Sequence, residues 1–329
     1  MKDRKYLVTG GTGFIGSALV KRLVKEGYTI RVLDSDIRGA AERLKEVADK
    51  IEIVKADIRN AEEVQKACKG MDSVIHLAYI NGTEYFYNMP ELVLEVGVKG
   101  IINVIDGCIK ENVKELVLAS SSEVYQTPEK IPTDETASLS IPDPLNPRYS
   151  YGGGKIISEL LAINYGRKHF DRIVIFRPHN VYGPDMGWEH VIPQFVLRMK
   201  EICSKSKDKK IKFPVQGSGK ETRAFVYIDD FIDGLMVVLE EGEHRGIYHI
   251  GTMDEISINQ VAIEIGKYFR KDVVIVPGEE AKGGTPRRCP DITKLKKLGY
   301  KPKVIFSKGL KITAKWYDEN ADKIQKIQK

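Results

Sequence analysis

Residues 6–16 read YLVTGGTGFIG, and an amphipathic segment follows them at residues 17–26. The apolar run at 6–9 predicts a buried strand, and the amphipathic segment predicts a helix. The glycines of the turn between them are Gly10, Gly11, Gly13 and Gly16. A glycine turn between a strand and a helix lets backbone N–H groups approach a pyrophosphate at the helix N-terminus. The stretch therefore predicts a dinucleotide-binding unit, the alternative being a turn that serves helix–strand packing alone.

A carboxylate follows at the distance that an adenosine ribose requires. A second strand is predicted at residues 29–33 and leads into Asp34. An acidic residue about 20 positions beyond the turn accepts hydrogen bonds from the ribose hydroxyls. Asp34 would repel a 2′-phosphate, so we expect NAD rather than NADP, with Arg38 nearby keeping NADP as the alternative.

Strand and helix signals continue to alternate through the first half of the chain. The predicted elements are a strand at 51–54, a helix at 61–68, a strand at 73–77, a helix at 90–112 and a strand at 115–119. This alternation predicts an α/β protein with a Rossmann-type doubly wound parallel sheet, whose ligands bind beyond the carboxyl ends of the strands. Asp57 and Ile58 follow one strand, and Leu77 and Ala78 lie at the end of another. His76 has apolar neighbours and is expected to be buried rather than a catalytic base.

Tyr151 and Lys155 stand four residues apart in the segment 149–155, which reads YSYGGGK. Residues at i and i+4 lie on one face of a helix, so the phenol and the ammonium can address one ligand together. A free tyrosine has a pKa of about 10, and a fixed positive charge nearby favours its phenolate. The pair predicts proton chemistry with Tyr151 as the base. Taken alone, the spacing also describes an exposed surface pair.

The composition describes an ordinary globular chain. Of 329 residues, 42% are hydrophobic and 30% are charged, which provides an ample core and excludes extended disorder. The net charge of +6 is a mild excess without a basic stripe, so no nucleic-acid partner is expected. The four cysteines are widely spaced and predict neither disulfides nor a metal site, and no apolar run reaches membrane-spanning length. We expect a cytoplasmic protein without a membrane segment.

Several motifs together resemble the extended short-chain dehydrogenase/reductase family, and within it the nucleotide-sugar epimerases and dehydratases. Beyond the glycine turn and Asp34, they are DIR at 57–59, HLA at 76–78, SSSEVY at 120–125, YGGGK at 151–155, RPHNVYGP at 177–184, TRAFVYIDD at 222–230 and PRRCPDITK at 286–294. The resemblance covers nearly the whole chain. It implies an NAD-dependent enzyme that works on a nucleotide sugar through a transient 4-keto intermediate.

The resemblance also implies a role for each matching residue. Tyr151 would take a hydroxyl proton, Lys155 would hold the nicotinamide ribose and lower the tyrosine pKa, and Ser121 would hydrogen-bond the reacting oxygen. The implied cofactor-binding residues are Gly10, Gly13, Phe14, Ile15, Gly16, Asp34, Asp57, Ile58, Leu77, Ala78, Tyr151 and Lys155. The implied substrate-binding residues are Ser121, Ser122, Asn180, Val191, Arg223 and Arg288. Among them, Asn180, Arg223 and Arg288 would bind the diphosphate, because guanidinium groups suit phosphate oxygens.

Glu123 leaves open the chemistry that follows the first oxidation. It stands where the family's sugar 4,6-dehydratases and nucleotide-sugar decarboxylases carry a functional glutamate. The preceding residue is Ser122, where the dehydratases carry aspartate. Glu123 is therefore either a fourth catalytic residue or a carboxylate with a structural hydrogen bond. The alternatives to an epimerase or dehydratase are a dehydrogenase or decarboxylase with the same first oxidation, and an NAD-binding redox regulator without catalysis.

Two glycines depart from the family pattern near these residues. Gly154 precedes the catalytic lysine where serine is usual, and Gly97 stands where the family has asparagine. The run of glycines at 152–154 disfavours a helix by about 1 kcal/mol per residue relative to alanine, so we expect tight packing or close backbone approach there. The missing asparagine predicts the loss of a polar contact behind the active site. Residues 81–87 predict a polar, aromatic loop that covers the sugar or, alternatively, an ordinary surface loop.

The chain is divided at residue 177. Residues 1–177 are assigned to an NAD-binding Rossmann domain, and 178–329 to a smaller C-terminal α/β lobe that binds the nucleotide sugar and, as in the family, is interleaved with the last strands of the sheet. The lobe is predicted to contain helices at 191–202, 229–239, 259–269, 293–298 and 308–319, a strand at 247–250 and a solvated loop at 204–210. The resemblance further implies a homodimer formed through the helix that bears Tyr151 and Lys155.

Overall fold

The computed structural model of the chain describes residues 4–279 and 284–325. Within these ranges the strands are β1 (Lys5–Thr9), β2 (Thr29–Asp34), β3 (Ile51–Lys55), β4 (Ser73–His76), β5 (Glu115–Ala119), β6 (Arg172–Pro178), β7 (Val181–Tyr182), β8 (Lys210–Val215), β9 (Thr222–Ala224), β10 (Val226–Tyr227), β11 (Gly246–Ile250), β12 (Glu255–Ser257), β13 (Asp272–Pro277) and β14 (Arg287–Arg288). The helices are α1 (Phe14–Lys25), α2 (Ala61–Cys68), α3 (Thr83–Asn88), α4 (Pro90–Leu94), α5 (Gly100–Lys110), α6 (Ser150–Gly166), α7 (Val191–Lys205), α8 (Ile228–Glu241), α9 (Ile258–Tyr268), α10 (Thr293–Lys297) and α11 (Phe306–Gln325).

A parallel sheet forms the centre of the molecule. In the described part of the chain it has seven strands in the order β11-β6-β5-β4-β1-β2-β3. The chain runs outward from β1 to β3 and then returns to β4 on the other side of β1. Thr9 at the end of β1 is level with Leu33 of β2 and His76 of β4. The predicted doubly wound, Rossmann-type sheet is therefore confirmed, and the crevice where its strand order reverses is the usual ligand position in such sheets.

The glycine turn joins β1 to α1 as the sequence predicts. Gly10 has a φ of 74°, a conformation that favours glycine, and its N–H donates to the Leu33 carbonyl. At Gly16, a Cβ atom would lie 2.1 Å from the Gly10 carbonyl oxygen. A side chain would therefore prevent the first turn of α1 from packing on the loop. The two glycines bring the N-terminus of α1 to the carboxyl end of β1.

Helices cover both faces of the sheet and bury two apolar clusters. One cluster joins α1 and α8 to the C-terminal lobe, with Leu23 and Phe231 fully buried. The other packs α2, α5 and α6 against the sheet through Val64, Val104 and Ala162. Strands β4 and β5 are consequently buried along their whole length, as is usual for a parallel sheet that is covered on both sides.

Two segments before β5 differ from the sequence prediction. The helix predicted at 90–112 is divided, because a π-helical turn at Glu95–Lys99 separates α4 from α5. The segment 81–87, predicted as a loop, contains most of α3, whose Phe86 side chain is buried in the second cluster. Burial of this aromatic ring explains why the segment is ordered rather than an irregular surface loop.

The C-terminal lobe contains strands that the sequence analysis did not identify. β8 pairs in parallel with β13, and β9 lies between β12 and β14. Side chains along β8 alternate between exposed and buried, which is the period-two signal of a half-buried strand. The predicted loop at 204–210 is therefore shorter, since α7 reaches Lys205 and β8 begins at Lys210.

The central sheet takes its last strand from the second part of the chain. β11 pairs with β6 at one edge of the sheet, so the sheet and the lobe are interleaved. The division at residue 177 stays a prediction. In residues 4–279 and 284–325, no helix is long and apolar enough to span a membrane, and no group of His, Cys, Asp or Glu side chains is arranged to hold a metal ion.

Candidate active site

A cavity of about 420 Å³ opens at the carboxyl ends of the central strands. Most of the residues predicted for cofactor, substrate and catalysis lie on its wall. They are Gly10, Gly13, Phe14, Ile15, Gly16, Asp34, Asp57, Ile58, Leu77, Ala78, Ser121, Ser122, Glu123, Tyr151, Lys155, Asn180 and Arg288. Their individual roles stay predictions, but segments from both parts of the chain meet in one cavity.

Two predicted substrate residues, Val191 and Arg223, are not among the described residues that line this cavity. Val191 is the first residue of α7, and the preceding His190 lines the cavity instead. Arg223 lies on β9 in register with Arg288 of β14. Burial and the charge of Arg288 lower the pKa of Arg223 to about 10, so Arg223 remains a cation beside the site at neutral pH.

The end of the cavity near β1 and β2 fits a dinucleotide. Asp34 accepts hydrogen bonds from the backbone N–H groups of Thr12 and Asp36, both at 3.0 Å, and these bonds orient its carboxylate. Arg38, which kept NADP as an alternative, donates to Glu189 at 3.1 Å, so its charge already has a partner. A glycine-rich turn and an oriented carboxylate are what the pyrophosphate and ribose of NAD require.

Tyr151 and Lys155 are buried in the first turns of α6, and an exposed surface pair is therefore excluded. Lys155 Nζ donates a hydrogen bond to the Ala119 carbonyl at the end of β5, at 2.7 Å. The same nitrogen lies 5.9 Å from the centre of the Tyr151 ring. Burial lowers the pKa of Lys155 to about 7, while Glu159, one turn further along α6, acts in the opposite direction.

The pKa of Tyr151 differs from the sequence expectation. Burial raises it to about 12, although a hydrogen bond with Ser121 acts in the opposite direction. The expected lowering by Lys155 does not dominate, because a buried phenolate loses its hydration and the buried ammonium is itself less stable. The charge of Lys155 near neutral pH therefore becomes important for the basicity of Tyr151.

The serines after β5 form a turn and also face the cavity. Ser121 accepts a hydrogen bond from the Glu123 N–H at 3.1 Å and so caps a short 3-10 turn at Ser122–Val124. The Ser121 hydroxyl also acts to lower the pKa of Tyr151. The structural turn therefore holds Ser121 beside the predicted base.

Glu123 forms an ion pair with Arg288. Arg288 Nη1 lies 2.7 Å from Glu123 Oε1. Burial alone would raise the pKa of Glu123, but the charges of Arg288, Arg148 and Arg223 lower it below that of an ordinary glutamate. Glu123 is therefore ionised at neutral pH and is not a ready proton donor. Arg288, which was predicted for the diphosphate, also lies beside the predicted catalytic residues.

Four buried nitrogen atoms on the cavity wall have no hydrogen-bond partner among the described residues. They are Arg38 Nη1 and, elsewhere on the wall, Arg148 Nε, Asn180 Nδ2 and Arg288 Nε. All four are N–H donors, and the arginines around Glu123 outnumber its single carboxylate. Buried donors are normally satisfied, so this part of the cavity is suited to an anionic ligand that offers several oxygen atoms.

Arg148, Phe86 and Tyr79 are cavity residues to which the sequence analysis gave no individual role. Arg148 lies in the 3-10 turn that leads into α6, and a basic residue beside the Tyr-x-x-x-Lys segment was the available signal. Phe86 stacks on Tyr151 with ring centres 5.0 Å apart, and Tyr79 meets the same ring edge-on at 5.1 Å. Phe86 belongs to the aromatic segment that was expected to cover the sugar. The signal for Tyr79 was indirect and consisted of the two unexpected glycines.

His76 is buried at the end of β4, as predicted. Its Nδ1 lies 2.7 Å from Thr9 Oγ1. Burial and the nearby Lys155 lower the pKa of His76 to about 3. The imidazole is therefore neutral at physiological pH, and its Thr9 contact gives it a packing role.

Comparison by sequence identifies known proteins to which this chain is similar. A sequence model of the NAD dependent epimerase/dehydratase family matches residues 6–251. The chain is also similar to the UDP-N-acetyl-alpha-D-glucosaminuronate decarboxylase of Bacillus cytotoxicus, with 30% identity over 96% of this chain and 98% of that protein.

Two solved structures share the fold. The dTDP-glucose 4,6-dehydratase of Streptomyces venezuelae, solved with NAD bound, is 30% identical and has a TM-score of 0.85 over 97% of this chain and 98% of its own. The UDP-glucose 4-epimerase of Thermotoga maritima, solved with UDP-glucose, is 26% identical and has a TM-score of 0.85 over 96% of this chain and 99% of its own. These relatives divide into a decarboxylase, a dehydratase and an epimerase.

Proposed function

The chain belongs to the NAD-dependent epimerase/dehydratase family and its cofactor is NAD, and from this premise we propose that it oxidises the C4 hydroxyl of a nucleotide sugar to a transient ketone. When bound, NAD accepts a hydride from the sugar carbon and returns it within the same turnover. A ketone at C4 makes that carbon planar and acidifies its neighbours. Inversion or bond cleavage at the ring then becomes accessible.

Tyr151 is the proposed base for the sugar hydroxyl. Ser121 acts to lower its pKa, and the Ser121 hydroxyl would also contact the reacting oxygen. Because burial raises the pKa of Tyr151 to about 12, its deprotonation near neutral pH needs a positive charge close by. Lys155, on the same face of α6, is the proposed source of that charge and the proposed ligand of the nicotinamide ribose.

The unpartnered donors support a substrate with more than one anionic group. Asn180 and Arg288, which line the cavity, are the proposed ligands of the diphosphate, and Arg223 would add positive charge from its place beside Arg288. Arg148 adds another guanidinium beside Glu123 and has a buried N–H without a partner among the described residues. A nucleotide-linked uronic acid carries a carboxylate in addition to its diphosphate. It would satisfy these donors better than a neutral hexose would.

We propose decarboxylation of a nucleotide-linked uronic acid as the step that follows oxidation, and the ion pair between Glu123 and Arg288 carries this proposal. A C4 ketone places the C6 carboxylate beta to a carbonyl group. The C5–C6 bond then breaks, carbon dioxide leaves, and the electron pair remains in an enolate. A proton returns to C5 and the ketone is reduced to the alcohol, so the overall reaction is redox-neutral. No side chain has to remove a proton from C5.

Dehydration would require Glu123 and Ser122 to act as a base and an acid. A base must remove the C5 proton, and an acid must protonate the departing C6 hydroxyl. Glu123 is ionised and held at 2.7 Å by Arg288, and Ser122 offers only a weakly acidic hydroxyl. This pair of side chains supports decarboxylation over dehydration.

Epimerisation at C4 is the second candidate. It requires oxidation, reorientation of the keto sugar and reduction from the opposite face, and it needs no further acid or base. A Glu123 that only binds Arg288 is compatible with this chemistry. The fold shared with a UDP-glucose 4-epimerase also favours it.

Mass spectrometry of the products tests the proposal. Purified protein and NAD are incubated with UDP-, GDP-, dTDP- and CDP-linked sugars, including UDP-glucuronic acid. Loss of carbon dioxide is the expected result, and an isobaric product with changed chromatographic mobility would identify the epimerase instead. Loss of water or of two hydrogens would identify a dehydratase or a dehydrogenase. Tyr151→Phe serves as the matched control, and no conversion of any sugar by the wild type would contradict the enzyme assignment.

A further inference from the structure

Tyr79 packs against both predicted catalytic side chains of α6. It follows β4 at the carboxyl end of the sheet and lines the cavity. Lys155 Nζ lies 4.0 Å from the centre of the Tyr79 ring, closer than it lies to the Tyr151 ring. The edge of one tyrosine ring meets the face of the other, with an interplanar angle of 82°. Tyr79 therefore contacts both members of the pair through its ring.

The two glycines that depart from the family pattern make room for this ring. A Cβ atom at Gly97 would lie 2.1 Å from Tyr79 Oη and 2.2 Å from Cζ. A Cβ atom at Gly154 would also lie 2.1 Å from the same oxygen. Gly97 belongs to the π-helical turn and Gly154 to α6. Close packing, which we expected for Gly154, is thus confirmed, and its partner is a residue from a third segment.

The ring of Tyr79, rather than its hydroxyl, makes the specific contact with Lys155. Tyr79 Oη is buried and has no hydrogen-bond partner among the described residues. The ring face is a region of negative potential that attracts an ammonium group. Among the described residues, Lys155 Nζ donates its hydrogen bond to the Ala119 carbonyl. Both neighbours are uncharged, and both favour the protonated amine.

The other titratable groups around Lys155 offer its ammonium little unshared negative charge, so the contact with the Tyr79 ring is important. Glu159 lies on the same helix, but Arg177 binds both of its oxygen atoms at 2.8 and 2.6 Å. His76 on β4 is neutral, and its pKa is about 3. Tyr151 is protonated at neutral pH because burial raises its pKa to about 12. Burial lowers the pKa of Lys155 itself to about 7, so small changes in its surroundings alter the fraction that is charged.

We propose that Tyr79 is a positioning residue that holds the Lys155 ammonium between its ring face and the Ala119 carbonyl, in the protonated form that Tyr151 needs. This inference rests on the proposed function, because it assigns a purpose to the charge of Lys155. It gives the ring of Tyr79 the place that a polar side chain at position 97 would otherwise take.

Titration of Lys155 in the full-length protein tests the contact without any sugar. Lysines are labelled with a trace of acetic anhydride over a pH series, and mass spectrometry measures the extent of labelling of the peptide that contains Lys155. Tyr79→Leu removes the ring and keeps an apolar side chain, so the inflection for Lys155 should fall by about half to one pH unit. Tyr79→Phe keeps the ring and should keep the wild-type inflection. Phe86→Leu removes the other ring that packs on Tyr151 and should also leave Lys155 unchanged.

An unchanged inflection in folded Tyr79→Leu would overturn the proposal, as would an equal shift in Phe86→Leu. If Tyr79→Leu does not fold, Gly154→Ala replaces it, because the new methyl group displaces the ring from Lys155. The inflection should again fall, and an unchanged value would again overturn the proposal. As the pH rises over the same series, turnover should be lost at a lower pH in Tyr79→Leu than in the wild type, because Lys155 loses its proton earlier. Absence of turnover in the wild type would refute the proposed function but would leave the labelling result decisive for Tyr79.

Discussion

Replacement of Gly154 by alanine tests whether Tyr79 is packed as the structure describes. Alanine is favoured over glycine inside a helix by about 1 kcal/mol, so a free position would become more stable. The new Cβ atom would lie 2.1 Å from Tyr79 Oη, however, more than 1 Å inside ordinary contact. Overpacking of this kind costs about 1–3 kcal/mol. We therefore expect Gly154→Ala to be destabilised by up to about 2 kcal/mol.

The same substitution should stabilise the protein once the Tyr79 hydroxyl is absent. In Tyr79→Phe, the nearest remaining atoms to a Cβ atom at position 154 are ring Cζ at 3.4 Å and Leu94 Cδ2 at 3.7 Å, which are ordinary contacts. The helical gain of about 1 kcal/mol should then appear in full. Tyr79→Phe alone should not be destabilised, because it removes a buried hydroxyl that has no partner among the described residues.

Denaturant unfolding of the four proteins in this cycle measures the coupling between the two positions. We expect a coupling free energy of about 1–3 kcal/mol. Gly97→Ala is the matched control, since its Cβ atom would also meet Cζ at 2.2 Å and Cε2 at 2.5 Å. Removal of the hydroxyl should not rescue that variant. A coupling near zero between positions 79 and 154 would refute the described packing.

Three further predictions concern the site and the assembly. Tyr151→Phe should lower turnover by about 100- to 10,000-fold and retain NADH binding measured by fluorescence, whereas unchanged turnover would exclude Tyr151 as the base. The pKa of Glu123 in the folded protein lies below the unfolded value of about 4.3. Its ion pair therefore stabilises the fold above about pH 4.3, and this stabilisation is lost as the pH falls through the folded pKa. Thermal unfolding of Glu123→Gln should therefore show a weaker loss of stability in acid, and an identical acid dependence would contradict the ion pair. Leu160 is 55% exposed on α6, and its replacement by glutamate should convert the predicted homodimer into a monomer, as measured by light scattering. A monomeric wild type would contradict the predicted dimer.

The fold was predictable because its signals are local. The glycine turn, the carboxylate of Asp34 and the alternating strand and helix patterns each occupy a short stretch of sequence. The parallel order of the sheet then follows from the connection rules for βα units. The pairing of β8 with β13 was missed because it joins segments separated by the whole of α8 and α9. The alternating side chains of β8 were the available signal for that strand.

The cavity was predicted in outline, but its internal contacts were not. Glu123 and Arg288 were each identified from their own motifs, yet their ion pair joins residues on β14 and after β5. The Tyr79 contact combines three separate segments, and only the glycines at 97 and 154 hinted at it. The raised pKa of Tyr151 depends on the burial of its phenol. Such quantities arise from tertiary packing and have no counterpart in a local sequence pattern.

Conversion of UDP-glucuronic acid in D₂O tests most directly whether the protein decarboxylates through a C4 ketone. Decarboxylation should yield a UDP-pentose that has lost carbon dioxide and carries one solvent-derived deuterium at C5, with no such product from Tyr151→Phe. An isobaric product without deuterium would show epimerisation and leave Glu123 without a part in the chemistry. Recovery of unchanged UDP-glucuronic acid, with conversion of a neutral nucleotide sugar instead, would contradict the proposed decarboxylation.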